Sequence, residues 1–486
     1  MKRLVVVANR LPVEIRSDGQ TLVSPGGLVS ALSSAIGEGT RWVGWGGPDA
    51  TCPTTLDHGQ LRLHPIVLST GEVEGYYRGF SNSVLWPLFH GGLRPVHHQR
   101  SWWRAYRAVN QRFAATVNIS APLGGTVWVH DYHLLLVPEM IRAKRPDLRV
   151  GMFLHIPFPS PRTFAALPNR RELLHGMLSA DLLGFQVAED VGHFVGAVHR
   201  LTGTEIGPHG PARGHHRVEV GAFPISIDFA MWDTLGSRAV AQAAEKRRTL
   251  GVDSVFLGID RLDYTKGISQ RLLAFSELLD ERRLDARSCT FVQVAVPTRS
   301  DVGAYRRERD EVERLINRIN ARHRRADGSV PVLYIDESLD QAALAAWYRA
   351  ADALVVTSLA DGMNLVAKEF VAARGDLGAV LILSEFAGAA HGLTDALIVN
   401  PYDVNAIKTA MLTTVVMPTA EKQARLRVMR AAVRNNDVHH WARRFLAHLE
   451  SATRGGTAMV GPAVRRPEPR PRRAALQPLV IQDHGV

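Results

Sequence analysis

Val255-Phe-Leu-Gly-Ile-Asp-Arg261-Leu-Asp-Tyr-Thr-Lys266-Gly267 reads as a buried strand that runs into two cations five residues apart and then a glycine. A second stretch, Ala353-Leu-Val-Val-Thr357, leads into Asp361-Gly-Met-Asn-Leu-Val-Ala-Lys-Glu369. Both loops are followed by helical spacing. Parallel strands that feed helices bring such loops together at the carboxyl edge of a sheet, where ligands bind. Arg261 and Lys266 beside a helix N-terminus suit a pyrophosphate. A lysine crowded against the positive end of a helix dipole is costly unless an anion is present. Glu369, one turn into the second helix, can hold ribose hydroxyls. Together these features describe the donor half of a sugar-nucleotide enzyme.

The same alternation extends over the chain. Strands are expected at 3–8, 62–68, 126–130, 149–155, 181–185, 217–223, 254–259, 290–296, 331–335, 352–357, 379–384 and 396–399. Helices are expected at 28–36, 101–117, 163–178, 187–202, 268–282, 301–323, 340–350, 364–374, 405–416 and 420–434. In the helix at 301–323, Tyr305, Val312, Leu315, Ile316 and Ile319 fall on one face. Strand–helix alternation predicts an α/β fold with parallel sheets covered on both sides. A break at Phe223-Pro-Ile-Ser-Ile-Asp228 splits the series into halves of similar size, 1–224 and 225–435. We expect two doubly wound, Rossmann-like domains facing across a cleft. From Thr453 the chain is rich in Pro, Arg and Gly without periodicity, so 453–486 is expected to be a disordered basic tail.

Bulk properties exclude several classes. With 486 residues the chain is too long for one core. Its 46% apolar and 22% charged content is that of an ordinary globular enzyme. The apolar start, Leu4 to Ala8, is too short for a signal peptide, and no run approaches the roughly 20 apolar residues of a membrane span. Two distant cysteines, Cys52 and Cys289, make neither a disulfide framework nor a zinc pattern. A cytoplasmic setting fits, with no membrane partner. The net charge is +11, of which the tail carries +4. No basic stripe interleaves with aromatics, so phosphate-bearing small substrates explain the excess better than nucleic acid.

Other segments allow two readings each. Asn9-Arg10 at a strand end and Ser24-Pro-Gly-Gly27 before a helix form either a phosphate or sugar site or a plain tight turn. The aromatics of Tyr76-Tyr77-Arg-Gly-Phe80-Ser-Asn-Ser-Val-Leu-Trp86-Pro read as core, although Tyr and Trp also stack on sugars. His130-Asp131-Tyr-His133 holds metal-ligand types without a second cluster, so Asp131 is read as a hydroxyl binder. His155 is either a core histidine or a strand-end ligand. Arg299, just past another strand, adds a third cation.

These motifs, taken as a set, resemble the trehalose-6-phosphate synthases, retaining glycosyltransferases of GT-B architecture. The resemblance also rests on Trp42-Val-Gly-Trp45, His155-Ile-Pro-Phe-Pro159, Ser384-Glu-Phe-Ala-Gly388 and Asn400-Pro-Tyr-Asp403, and covers roughly residues 3 to 450. It implies that 1–224 binds the acceptor, that 225–435 binds the nucleotide-sugar, and that a helix at 436–452 packs back on the first domain. It implies glucosyl transfer from a nucleoside diphosphate glucose to glucose 6-phosphate, giving α,α-trehalose 6-phosphate.

By the same resemblance, Arg10, Tyr77, Trp86 and Arg299 hold the acceptor and its phosphate, and Asp131 meets the acceptor's hydroxyls. Gly27 shapes the loop over the donor phosphate, and Arg261 and Lys266 bind the diphosphate. His155 and Asp361 hold glucosyl hydroxyls. Asn364, Leu365 and Val366 supply backbone donors, Glu369 binds the ribose, and Leu339 lies at the base. The catalytic set is then Arg261, Lys266, Asp131, His155 and Asp361. The substrates are UDP-, GDP- or ADP-glucose and glucose 6-phosphate, with no cofactor and no metal. The implied next enzyme is a trehalose-6-phosphate phosphatase, and a homo-oligomer is compatible. Ser358 and Ala360 depart from the family pattern, in which a proline and an arginine are common. Two competing readings are a pseudo-glycosyltransferase that couples cyclitols and a catalytically silent sugar-phosphate sensor.

Overall fold

A computed structural model describes residues 3–16, 20–23, 32, 36–50, 55–92, 98–207, 210–213, 216–297 and 303–452. Most of the helix expected at 28–36, and the tail expected at 453–486, lie outside these residues.

Two main parallel sheets organise the chain. The first runs in the order Glu219–Ala222, Leu182–Phe185, Arg149–Phe153, Thr126–His130, Leu4–Arg10, Thr40–Trp45, Leu61–Ile66, Leu56–His58, and only the last pair is antiparallel. The second runs Val332–Ile335, Cys289–Val296, Ser254–Arg261, Ala353–Val356, Val380–Ser384, Leu397–Val399, parallel throughout. In chain order the second sheet is therefore 3-2-1-4-5-6, the doubly wound arrangement. Its central strands are buried along nearly their whole length, as strands covered on both faces must be.

Strand order reverses beside Leu4–Arg10 in the first sheet and beside Ser254–Arg261 in the second. Crevices form outside the carboxyl ends of strands at such reversals. Arg10 and Asp131 lie at the first crevice, Arg261 and the loop to Asp361 at the second.

The crossover at 223–228 is strapped from both sides. Gln186 Oε1 accepts from Ile225 N at 3.0 Å, Lys368 Nζ donates to Ile225 O at 2.6 Å, and Trp441 Nε1 donates to Phe223 O at 3.0 Å. Trp441 belongs to the helix Val438–Ser451, which returns to the first sheet. Its Phe445 ring stacks on Trp128 at 4.8 Å, and Trp441 meets Phe153 edge-on at 5.1 Å.

The structure departs from expectation in several places. The helix expected at 163–178 is two, Pro161–Phe164 and Arg170–Leu178. Pro168 has no N–H to give and forces its predecessor out of helical geometry. The strand Thr40–Trp45 and the helices Phe229–Arg238 and Val240–Leu250 were not anticipated. The aromatic segment is a 13-residue π-helix, Val73–Leu85, continued by a short helix Trp86–Phe89. Side chains reinforce its wide turns, Asn82 Nδ2 donating to Tyr77 O and Ser83 Oγ to Arg78 O. Such helices are rare and cluster at functional sites.

Candidate active site

The donor-side loops are built around Asp361. Lys266 Nζ lies 2.6 Å from Asp361 Oδ2, joining the loops after two neighbouring strands. Asn364 Nδ2 and Ser358 Oγ reach the same oxygen at 3.1 and 3.3 Å. Burial alone would raise this carboxyl, but the ammonium and the two Lys266 and Asn364 hydrogen bonds outweigh it and hold the group below its ordinary range. All three donors converge on Oδ2, so among the described residues no side chain bonds Oδ1. Ser358 thus makes a bond that a proline could not.

Backbone geometry fixes both loops. Gly267 (φ 59°) precedes the helix Ile268–Asp280, and a β-carbon there would lie 2.1 Å from Thr357 O. Thr357 Oγ1 donates to Gly267 O at 2.7 Å, and Leu359 N to Thr265 O at 2.7 Å. Asn364 takes a left-handed conformation (φ 77°) and caps the helix Leu365–Ala373 by accepting from Ala367 N at 3.0 Å. Leu365 and Val366 open that helix, half-buried. Glu369 accepts from Tyr348 Oη at 2.8 Å, and burial pushes its carboxyl up to about 7. Leu339, half-buried, precedes the helix Gln341–Ala350 that carries Tyr348.

On the acceptor side, the Arg10 guanidinium sits 4.8 Å from the Trp45 ring and 5.7 Å from the Tyr77 ring, and ion-pairs with Glu14. Tyr77 stacks on His133 at 5.9 Å. Asp131 has φ 73°, a conformation that costs about 1–3 kcal/mol in a non-glycine residue and gathers at functional sites. Asp131 Oδ1 accepts from His155 N at 3.1 Å. His155 Nε2 meets His130 Nδ1 at 3.1 Å, and burial lowers His155 to about 3, so its ring is neutral. The metal-ligand types of the His130-Asp131-Tyr-His133 motif are therefore turned to different partners. Among the described residues no group of three or more His, Cys, Asp or Glu converges as a metal site.

The two sides touch. Arg261, exposed at its strand end, lies 5.6 Å from the Trp86 ring of the first domain. A β-carbon on Gly362 would lie 2.1 Å from His155 O. The sequence-predicted residues thus form a donor cluster (Lys266, Asp361, Asn364), an acceptor cluster (Arg10, Tyr77) and a seam (Asp131, His155, Trp86, Arg261). Gly27 and Arg299 lie outside the described residues. Sequence reasoning missed Tyr348 and the Ser358 bond.

Two doubly wound domains with a cationic loop at the switch point of the second define a GT-B glycosyltransferase. The sequence profile of glycosyltransferase family 20 matches residues 2–451. A trehalose-6-phosphate synthase of Mycobacterium sp. (strain JLS) is 43% identical over 464 residues, 92% of this chain and 95% of that one. An α,α-trehalose-phosphate synthase (UDP-forming) from Burkholderia xenovorans, solved with glucose-6-phosphate, superposes with TM-score 0.86 at 35% identity, covering 92% of this chain and 100% of that one. An E. coli chain bound with UDP-2-fluoro glucose gives TM-score 0.84 at 34% identity, covering 92% and 99%. The chain belongs to glycosyltransferase family 20.

Proposed function

We propose that this chain transfers a glucosyl unit, with retention, from a nucleoside diphosphate glucose to glucose 6-phosphate, giving α,α-trehalose 6-phosphate. The observation that carries the reading is the Lys266–Asp361 pair, 2.6 Å apart in the loops after the strands Ser254–Arg261 and Ala353–Val356, at the switch point of a doubly wound sheet. The names and ligands of the relatives described above support it.

In this reaction the bond from glucosyl C1 to the phosphate oxygen breaks, and its electron pair stays on the diphosphate. Arg261 and Lys266 are positive charges already in place for that oxygen, so little reorganisation is needed as it departs. The acceptor's anomeric oxygen bonds C1 on the same face, and its proton passes to the leaving phosphate. No protein nucleophile takes part. Asp361, with Oδ2 occupied, offers Oδ1 to a glucosyl hydroxyl. Neutral His155 contributes a hydrogen bond without opposing the positive charge that grows on the sugar. Glu369 takes the ribose, Leu339 lies at the base, and Asn364, Leu365 and Val366 present the helix N-terminus. Arg10, Tyr77 and Trp86, with Arg299, hold the acceptor, Asp131 its hydroxyls, and Gly27 the donor phosphate loop. The cations supply the charge that a metal would otherwise bring.

No helix among the described residues is long and apolar enough to cross a membrane. Phosphorylated substrates place the chain in the cytoplasm in this reading, with a trehalose-6-phosphate phosphatase acting on the product.

The test is nucleoside diphosphate release from UDP-, GDP- and ADP-glucose with glucose 6-phosphate, with the product identified. Turnover to a non-reducing disaccharide phosphate is expected and names the donor. Donor binding without turnover would point instead to the cyclitol-coupling or silent-sensor reading.

A further inference from the structure

Two helices of the second domain meet behind the carboxylate assigned to the ribose. Tyr348 lies on Gln341–Ala350 and Glu369 on Leu365–Ala373. Tyr348 Oη donates to Glu369 Oε2 at 2.8 Å. Tyr348 is 0% exposed, whereas Glu369 is half-buried. The phenol is therefore screened from a ligand and supports the carboxylate from the core side.

Packing fixes the phenol before any ligand arrives. Its ring meets Trp232 edge-on at 5.6 Å and Phe370 edge-on at 6.0 Å. Arg374, just past the second helix, donates from Nη1 to Tyr348 O and Arg349 O at 3.0 Å each, which locks one helix against the other. Burial, then the neighbouring carboxylate, hold the phenol well above its ordinary range, so it stays protonated and donates. Among the described residues no other side chain bonds Glu369, so this bond sets the orientation of the carboxyl. With Oε2 taken, Oε1 is left to face a hydroxyl. A binding group held in this way by packing and a supporting hydrogen bond is already in its productive geometry. A glutamate without that support must be ordered as the ligand binds, at a cost in affinity.

We propose that Tyr348 is a positioning residue, holding Glu369 by Oε2 so that Oε1 meets the ribose hydroxyls of the donor. The role rests on the ribose assignment of Glu369 made above and adds the group that sets its geometry. Two phosphates separate the ribose from glucosyl C1, so the effect falls on nucleotide affinity and not on the bond that breaks.

The test uses the full chain and a cycle of Tyr348→Phe, Glu369→Ala and the double variant. Phenylalanine keeps the ring that packs on Trp232 and Phe370 and removes only the hydroxyl. One probe is the nucleoside diphosphate that the wild-type chain binds most tightly. The other is its 2′,3′-dideoxy analogue, which lacks both ribose hydroxyls. Dissociation constants are measured by calorimetry below each variant's melting midpoint, and kcat at saturating donor and glucose 6-phosphate.

Tyr348→Phe is expected to weaken the nucleoside diphosphate about three- to tenfold, the scale of one long side chain that must be ordered on binding. Its kcat is expected to stay within about twofold. The loss in affinity is expected to vanish in the Glu369→Ala background and with the dideoxy probe. An equal loss in both backgrounds, or with both probes, overturns the role, because the hydroxyl then acts on packing and not through Glu369. If Glu369→Ala does not fold, the two probes decide alone. Glu369→Ala that binds the nucleotide like wild type overturns the ribose assignment and this role with it. A loss in Glu369→Ala beside an unaltered Tyr348→Phe overturns this role alone.

Discussion

Gly362, in the donor loop of the second domain, packs its backbone directly on the carbonyl of His155 in the first, so that a β-carbon would come within 2.1 Å of that oxygen. The contact joins the loops of His155 and Asp361 without a side chain between them. Gly362→Ala must push backbone against backbone, and overpacking of this kind costs typically about 1–3 kcal/mol. The expected outcome is a lower melting midpoint with lower kcat. A variant equal to wild type in both would show that the seam opens freely.

Glu369 makes stability depend on pH. Its ordinary value is 4.5, and burial raises it to about 7. Between those values the folded state holds a proton that the unfolded chain has released, so this group's contribution to stability falls as pH rises through the window. Glu369→Gln should therefore raise the melting midpoint at pH 8 and change it little at pH 4. An equal shift at both values would mean that the carboxyl is not protonated in the folded state near neutrality.

Asn364 does two jobs, as helix cap and as donor to Asp361, in a left-handed conformation. Asn364→Ala loses the cap, worth about 1 kcal/mol, and keeps the backbone penalty. Asn364→Gly loses the cap at a cost of only a few tenths of a kcal/mol and relieves the backbone. Melting midpoints should fall more for Ala than for Gly, while both variants lose donor affinity. Equal midpoints would remove the backbone argument.

Much of this was legible in the sequence because apolar runs in parallel sheets are long and continuous. The strand expected at 254–259 is Ser254–Arg261, and the one at 352–357 is Ala353–Val356. The loop after the first carries Lys266 and the loop after the second carries Asp361. Thr40–Trp45 escaped because two aromatics and a glycine hide its period. The π-helix was illegible because its spacing of five fits neither a strand nor an α-helix, so from spacing alone its aromatics favour core, and only the family resemblance placed Tyr77 at the acceptor. His90 and Tyr348 escaped for a different reason. Their partners, Trp86 O for His90 and Glu369 for Tyr348, are fixed only by the fold.

In the proposed reaction Lys266 stabilises the departing diphosphate rather than the bound substrates. The direct measurement is kcat, and KM for glucose 6-phosphate, for Lys266→Ala beside the wild-type chain. Removing one preorganised donor from a developing oxyanion costs about 10²- to 10³-fold in kcat. A fall of that size is expected, with KM for glucose 6-phosphate within about threefold. An unchanged kcat, or a loss confined to KM for the acceptor, would contradict it.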